Sequence, residues 1–94
     1  MARIIIAEVI ADDAIIEKIR DKHPPLTFET VRQALIYAKD VRTSWVEDGE
    51  HGRRVMAEAK TYRDTRFVAY MDPLNEHDPD EGTWKLRTAI PEPD

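Results

Sequence analysis

The sequence contains no cysteine, which excludes disulfide staples and a thiolate-bound metal as sources of stability. Nor does it contain a long apolar run. Its most apolar stretch, residues 4–10, is seven residues long, against the roughly 20 needed to span a bilayer. No small-residue cleavage site follows that stretch, so no signal peptide is expected. Repeats and low-complexity segments are absent, as are a Gly-rich phosphate loop and any Ser/His/Asp order typical of a hydrolase. Asp78, Asp80, Glu81 and Gly82 have the composition of a calcium loop, but lack its ligand spacing and the bidentate Glu at the twelfth position. They read as a solvated acidic loop. His51 and His77 stand in no recognised metal spacing either. These absences predict a soluble cytoplasmic protein without metal or cofactor.

What is present is enough for one domain over residues 1–94, with a modest core. At 41% hydrophobic and 35% charged, the chain is too apolar for a disordered protein. The formal net charge of −5 argues against a nucleic-acid partner until its distribution is considered. Five acids lie within 72–82 and two in the tail, and without those seven the chain has 14 basic residues against 12 acidic ones. Over 51–71, five bases face Glu58 and Asp64 alone. Phosphate binding depends on such local patches more than on the total.

Residues 3–10 are rich in β-branched side chains and predict a strand. Asp12 or Asp13 is placed to cap a helix running to about Lys22, with Ile15, Ile16 and Ile19 as its apolar stripe. Pro24 and Pro25 end it. Thr27 is the next N-cap, and Phe28, Val31, Leu35 and Ala38 predict a second helix over about 28–39. Val41, Thr43 and Trp45 alternate in a strand over 40–47, and Glu47–Gly52 is a polar turn. Three further strands are predicted at Arg53–Tyr62, Arg66–Asp72 and Thr83–Ile90, joined by a tight turn at 63–65 and a longer loop at 73–82. An extended tail follows from Pro91. The expected fold is α+β. Two N-terminal helices pack on one face of an antiparallel sheet of about four strands, with residues 3–10 as an additional strand.

Because strand residues alternate between faces, these three strands sort into two sets. Val55, Ala57, Ala59, Phe67, Ala69, Met71, Trp84, Leu86, Thr88 and Ile90 are expected on the core side. Arg54, Lys60, Arg66, Lys85 and Arg87 gather on the opposite side with Tyr62 and Tyr70. That is a sheet with one oily face and one basic, tyrosine-bearing face.

At Lys22-His23-Pro24-Pro25-Leu26-Thr27-Phe28-Glu29-Thr30-Val31 the chain resembles the Lys-His…Ser/Thr-Phe-Glu signature of BrnT-like toxins, within the RelE/ParE superfamily. Asp12, the Arg53-Arg54-Val55-Met56-Ala57 run and Trp84-Lys85-Leu86-Arg87-Thr88-Ala89-Ile90 extend the resemblance over most of the chain. Three features depart from the pattern. There is an extra proline before Leu26, Ile90 takes the place of a basic residue, and the family's C-terminal charged segment does not follow Ile90. The resemblance implies the toxin of a type II toxin–antitoxin pair, a metal-independent endoribonuclease acting on mRNA and neutralised by an antitoxin protein, with activity retained or lost.

Such cleavage needs a base for the 2′-hydroxyl, cations for the phosphorane charge and an acid for the leaving oxygen. Lys60 and Arg87, with His23 or His51 for proton transfer, are the catalytic candidates. Arg54, Tyr62, Arg66, Tyr70 and Lys85 are the RNA-binding candidates, the tyrosines through base stacking. Each residue also has a plainer reading. A basic strand face balanced by acids such as Glu58 is an ordinary solvated surface, and His23 suits a helix C-terminus. His51 suits an exposed turn, and the tyrosines suit cross-strand packing. A non-catalytic protein-interaction module using the same face or a strand edge is the alternative.

Overall fold

The computed structural model describes residues 4–49, 52–74 and 82–92. In chain order the elements are β1 (Glu8–Ile10), α1 (Asp13–Lys22), α2 (Phe28–Tyr37), β2 (Arg42–Asp48), β3 (Gly52–Lys60), β4 (Arg66–Pro73) and β5 (Thr83–Pro91). The strands form one five-stranded sheet in the order β1-β5-β4-β3-β2. Consecutive strands β2 to β5 pair antiparallel, while β1 joins the β5 edge in parallel. The sheet is therefore mixed rather than purely antiparallel. β1 and its partner β5 are separated in the chain by both helices and three strands, and β2, the strand reached directly from the helices, runs opposite to β1 at the far edge of the sheet.

Of residues 4–10, only the last three are strand; Ile4–Ile6 instead run as irregular chain, with Ile4 and Ile6 half-buried against the core. Ala7 and Glu8 donate their N–H groups to the carbonyl of Gly82, at 2.8 and 3.1 Å. Gly82 has φ +90°, and a Cβ there would stand 3.1 Å from that of Ala7. Glycine is required on both counts.

The helices form for local reasons that differ. In α2, Thr27 Oγ1 accepts from the Thr30 amide at 3.2 Å while Thr30 Oγ1 accepts from the Thr27 amide at 3.1 Å. This reciprocal box satisfies two otherwise orphaned donors. Asp12 occupies the N-cap of α1 but makes no side-chain cap bond; its carboxylate is drawn instead to Lys85 Nζ, 3.3 Å away. Asp13 in the first turn and Arg20 and Lys22 in the last complement the helix dipole. The second helix stops at Tyr37, two residues before its expected end.

Ile19, Leu26, Val31 and Leu35 of the helical layer meet Val55, Phe67, Met71, Trp84 and Leu86 of the sheet, and all are buried. Fully burying each such large side chain contributes roughly 1.5–3 kcal/mol. The alternation expected in β3 and β4 holds: Val55, Ala57, Ala59, Phe67, Ala69 and Met71 are all buried.

In β5 it holds only to Leu86. Tyr70 pairs with Thr88 but Met71 pairs with Leu86, so Arg87 is an extra residue on its strand. Such a bulge reverses the facing of everything beyond it. Ala89, not Thr88 or Ile90, is buried, and Ile90 is 43% exposed. The expectation that Thr88 and Ile90 face the core is thereby corrected. Tyr62 also falls outside its expected strand, because β3 ends at Lys60. Thr61 turns the chain with its hydroxyl, which accepts from the amides of Arg63 and Thr65 at 3.2 Å each.

Candidate nucleic-acid interface

The helices lie against the face that holds Val55, Phe67 and Trp84, leaving the other face uncovered by helix. The register arranges that outer face in rows across the strands. A central row runs Ser44, Met56, Tyr70, Thr88. On one side of it lies Val46, Arg54, Asp72, Lys85, with Arg87 inserted beside them. On the other lies Arg42, Glu58, Val68, Ile90, and beyond that the cross-strand pair Lys60 and Arg66.

Arg54, Lys60, Arg66, Lys85 and Arg87 thus share one face, and Tyr70 stands half-buried at its centre. Tyr62 is at its border, 66% exposed in the turn after β3, with the Arg63 guanidinium 5.5 Å from its ring centroid. Arg42, which the sequence reading did not count, belongs to the same face through its pairing with Glu58. Alternation with Val41, Thr43 and Trp45 was the signal that would have placed it. Among the outer-face side chains described, six are cationic (residues 42, 54, 60, 66, 85 and 87) and three are acidic: Glu58, Asp72 and Glu92, whose N–H donates to the Arg66 carbonyl across from it at 2.9 Å.

The acids are placed where they engage the cations. Asp72 accepts from Arg54 Nε at 3.0 Å on one oxygen, and Arg87 Nε lies 3.5 Å from the other. The bulge brings Arg87 to this carboxylate. Lys60 Nζ stands 3.0 Å from Asp64, and Lys85 reaches Asp12. Arg42 and Arg66 are exposed and make no ion pair with a described residue. Asp72, expected at the end of the strand 66–72 and counted only among the acids of 72–82, lies in β4 at the middle of the basic cluster.

His23 is not brought to this face. It caps α1 in the helical layer, its N–H donating to the Ile19 carbonyl at 3.0 Å, on the other side of the sheet from Lys60 and Arg87. His51, His77 and the acidic run at 76–81 lie outside the described residues. Among the described residues no three His, Asp or Glu side chains form a metal-holding group, and no helix is long and apolar enough to cross a membrane.

No protein-family model matches this chain, and neither a curated protein nor a solved structure matches it.

Proposed function

We propose that this chain is a BrnT-like toxin-fold protein whose helix-free sheet face binds single-stranded RNA through its phosphates. The reading is carried by the segregation of charge: a face with six cations and three acids in a chain of net charge −5. A solvated surface has no need to collect its cations against the sign of the whole molecule, whereas a phosphate-binding surface does. Arg66 is available at once, having no ion pair with a described residue. Arg54 and Arg87 share Asp72, so a phosphate can replace that carboxylate as their partner. Tyr70 and Tyr62 offer ring faces for bases, each stack contributing roughly 1–3 kcal/mol.

The resemblance adds cleavage of the bound RNA without metal, Lys60 and Arg87 stabilising the phosphorane, and an antitoxin as protein partner. A second reading, a non-catalytic module that holds a protein, is favoured by one observation. The histidine described, His23, is across the sheet from the cations, so no imidazole described here stands ready for proton transfer.

The two readings separate in one experiment. Binding of a labelled RNA of about 20 nucleotides, several site lengths for such surfaces, is followed by anisotropy over a salt series, alongside cleavage in EDTA. Arg42→Glu and Arg66→Glu are expected to weaken binding roughly tenfold or more each and to flatten its salt dependence. Lys60→Ala and Arg87→Ala are expected to abolish any cleavage. Absence of RNA binding at low salt refutes the proposal and favours the protein-holding module; RNA binding without cleavage removes only the catalytic step.

A further inference from the structure

The two edges of the sheet are unlike. β1 is three residues long, too short to template another strand. β2 extends over seven, Arg42–Asp48, with no proline, no lysine and no break in its register with β3. Those are among the devices by which edges are usually blunted; β2 lacks all three, its charges being Arg42, Glu47 and Asp48. Among the described residues no backbone hydrogen bond reaches it from its outer side. Beside this edge, on the helical side, lies an open groove of about 910 Å³ whose lining includes Ile5, Ile36, Val41 and Trp45. Trp45 is half-buried, between the Arg53 guanidinium at 4.4 Å and the Trp84 ring at 5.7 Å.

We propose that β2 of a second copy covers this edge, antiparallel, about a two-fold axis through Trp45. The order of charges in β2 selects this occupant. Its one cation is at the start and its two acids at the end, so only antiparallel self-pairing sets unlike charges opposite one another. With Trp45 facing its counterpart, residue 42 lies opposite residue 48 of the second copy, an arginine against an aspartate, and symmetry repeats the pair. Opposite charges directly across a strand pair stabilise it and like charges destabilise it.

Neighbouring registers are worse. A slip of two residues one way puts Asp40 against Asp48. The other way puts Trp45 against Glu47 and carries Arg42 past the end of the strand. The chosen register also brings the two Trp45 rings together at the mouths of the two grooves. Because the axis is perpendicular to the sheet, both helix-free faces stay on one side and form a single surface.

Sedimentation equilibrium on the full chain up to about 100 μM, a range that captures micromolar self-association, is the test. A dimer is expected. Arg42→Asp and Asp48→Arg are each expected to raise its dissociation constant roughly tenfold or more, since each puts like charges opposite one another twice. The double variant restores unlike pairs and is expected to dimerise again. Trp45→Lys is expected to give monomer. Circular dichroism of each variant separates lost pairing from lost folding. A monomeric wild type overturns the proposal, and so does a dimer that survives both charge reversals and Trp45→Lys.

Discussion

The indole Nε1 of Trp84 donates a hydrogen bond of 2.7 Å to the carbonyl of Ile5, 79 positions earlier in the chain. Trp84 is 1% exposed, so this bond both satisfies a buried donor and pins the irregular N-terminal segment over the sheet. Trp84→Phe removes the donor and leaves a void. A loss of roughly 1.5–3 kcal/mol is expected, measured as a lower urea midpoint at unchanged m-value.

Glu8 ties the short edge strand to α2. Its oxygens accept from Arg32 Nε at 2.7 Å and Nη2 at 3.0 Å. The Arg32 hydrogen bond, helped by the Val9 amide, holds the carboxyl below its ordinary 4.5. A carboxyl depressed in the folded state stabilises it above the unfolded value, and that contribution is lost as pH falls through the folded value. Glu8→Gln is therefore expected to be less stable than wild type at neutral pH, with the gap closing as pH drops below about 4.5. Urea titrations of both proteins from pH 7 to pH 3, a span across the carboxylate range, check this; a gap constant with pH contradicts it.

Asp72 sets the charge of the outer face. Asp72→Asn is expected to tighten RNA binding and steepen its salt dependence, since one competing carboxylate disappears. Stability is expected to fall by about 1–2 kcal/mol, because the Arg54 side chain, only 12% exposed, loses a charged acceptor. Anisotropy and chemical unfolding on the same samples report both effects.

The bulge at Arg87 makes two neighbours unequal in a way their identities do not suggest. Ala89→Leu is expected to cost roughly 1–3 kcal/mol by overpacking. Ile90→Thr is expected to change stability by less than about 0.5 kcal/mol. Comparable losses at both positions in thermal unfolding would place the core wall elsewhere.

Gly82→Ala combines a disfavoured φ with crowding against Ala7. It is expected to cost roughly 1–3 kcal/mol, seen as a reduced melting temperature with retained circular dichroism.

The amino-acid sequence by itself determined the helices, the strands of the second half and the two-faced character of β3 and β4. Period and capping are local properties, and Thr27, the prolines and the Val55/Phe67 alternations carry them in a few residues each. It also placed Arg54, Lys60, Arg66 and Lys85 on one face, because a regular strand keeps its parity. Only the tertiary structure decided where that parity breaks. The extra residue at Arg87 is defined by pairing with Tyr70 and Met71 on another strand, and it exchanges Ile90 for Ala89 in the core. The same holds for β1, whose parallel place beside β5 is set by pairing with the far end of the chain, and for Asp72, which becomes the hub of the basic face through contacts from β3 and β5. His23 falls away from the basic face for the corresponding reason. Sequence spacing can name a residue able to carry a proton, but which side of a sheet it ends on is set by how the layers pack.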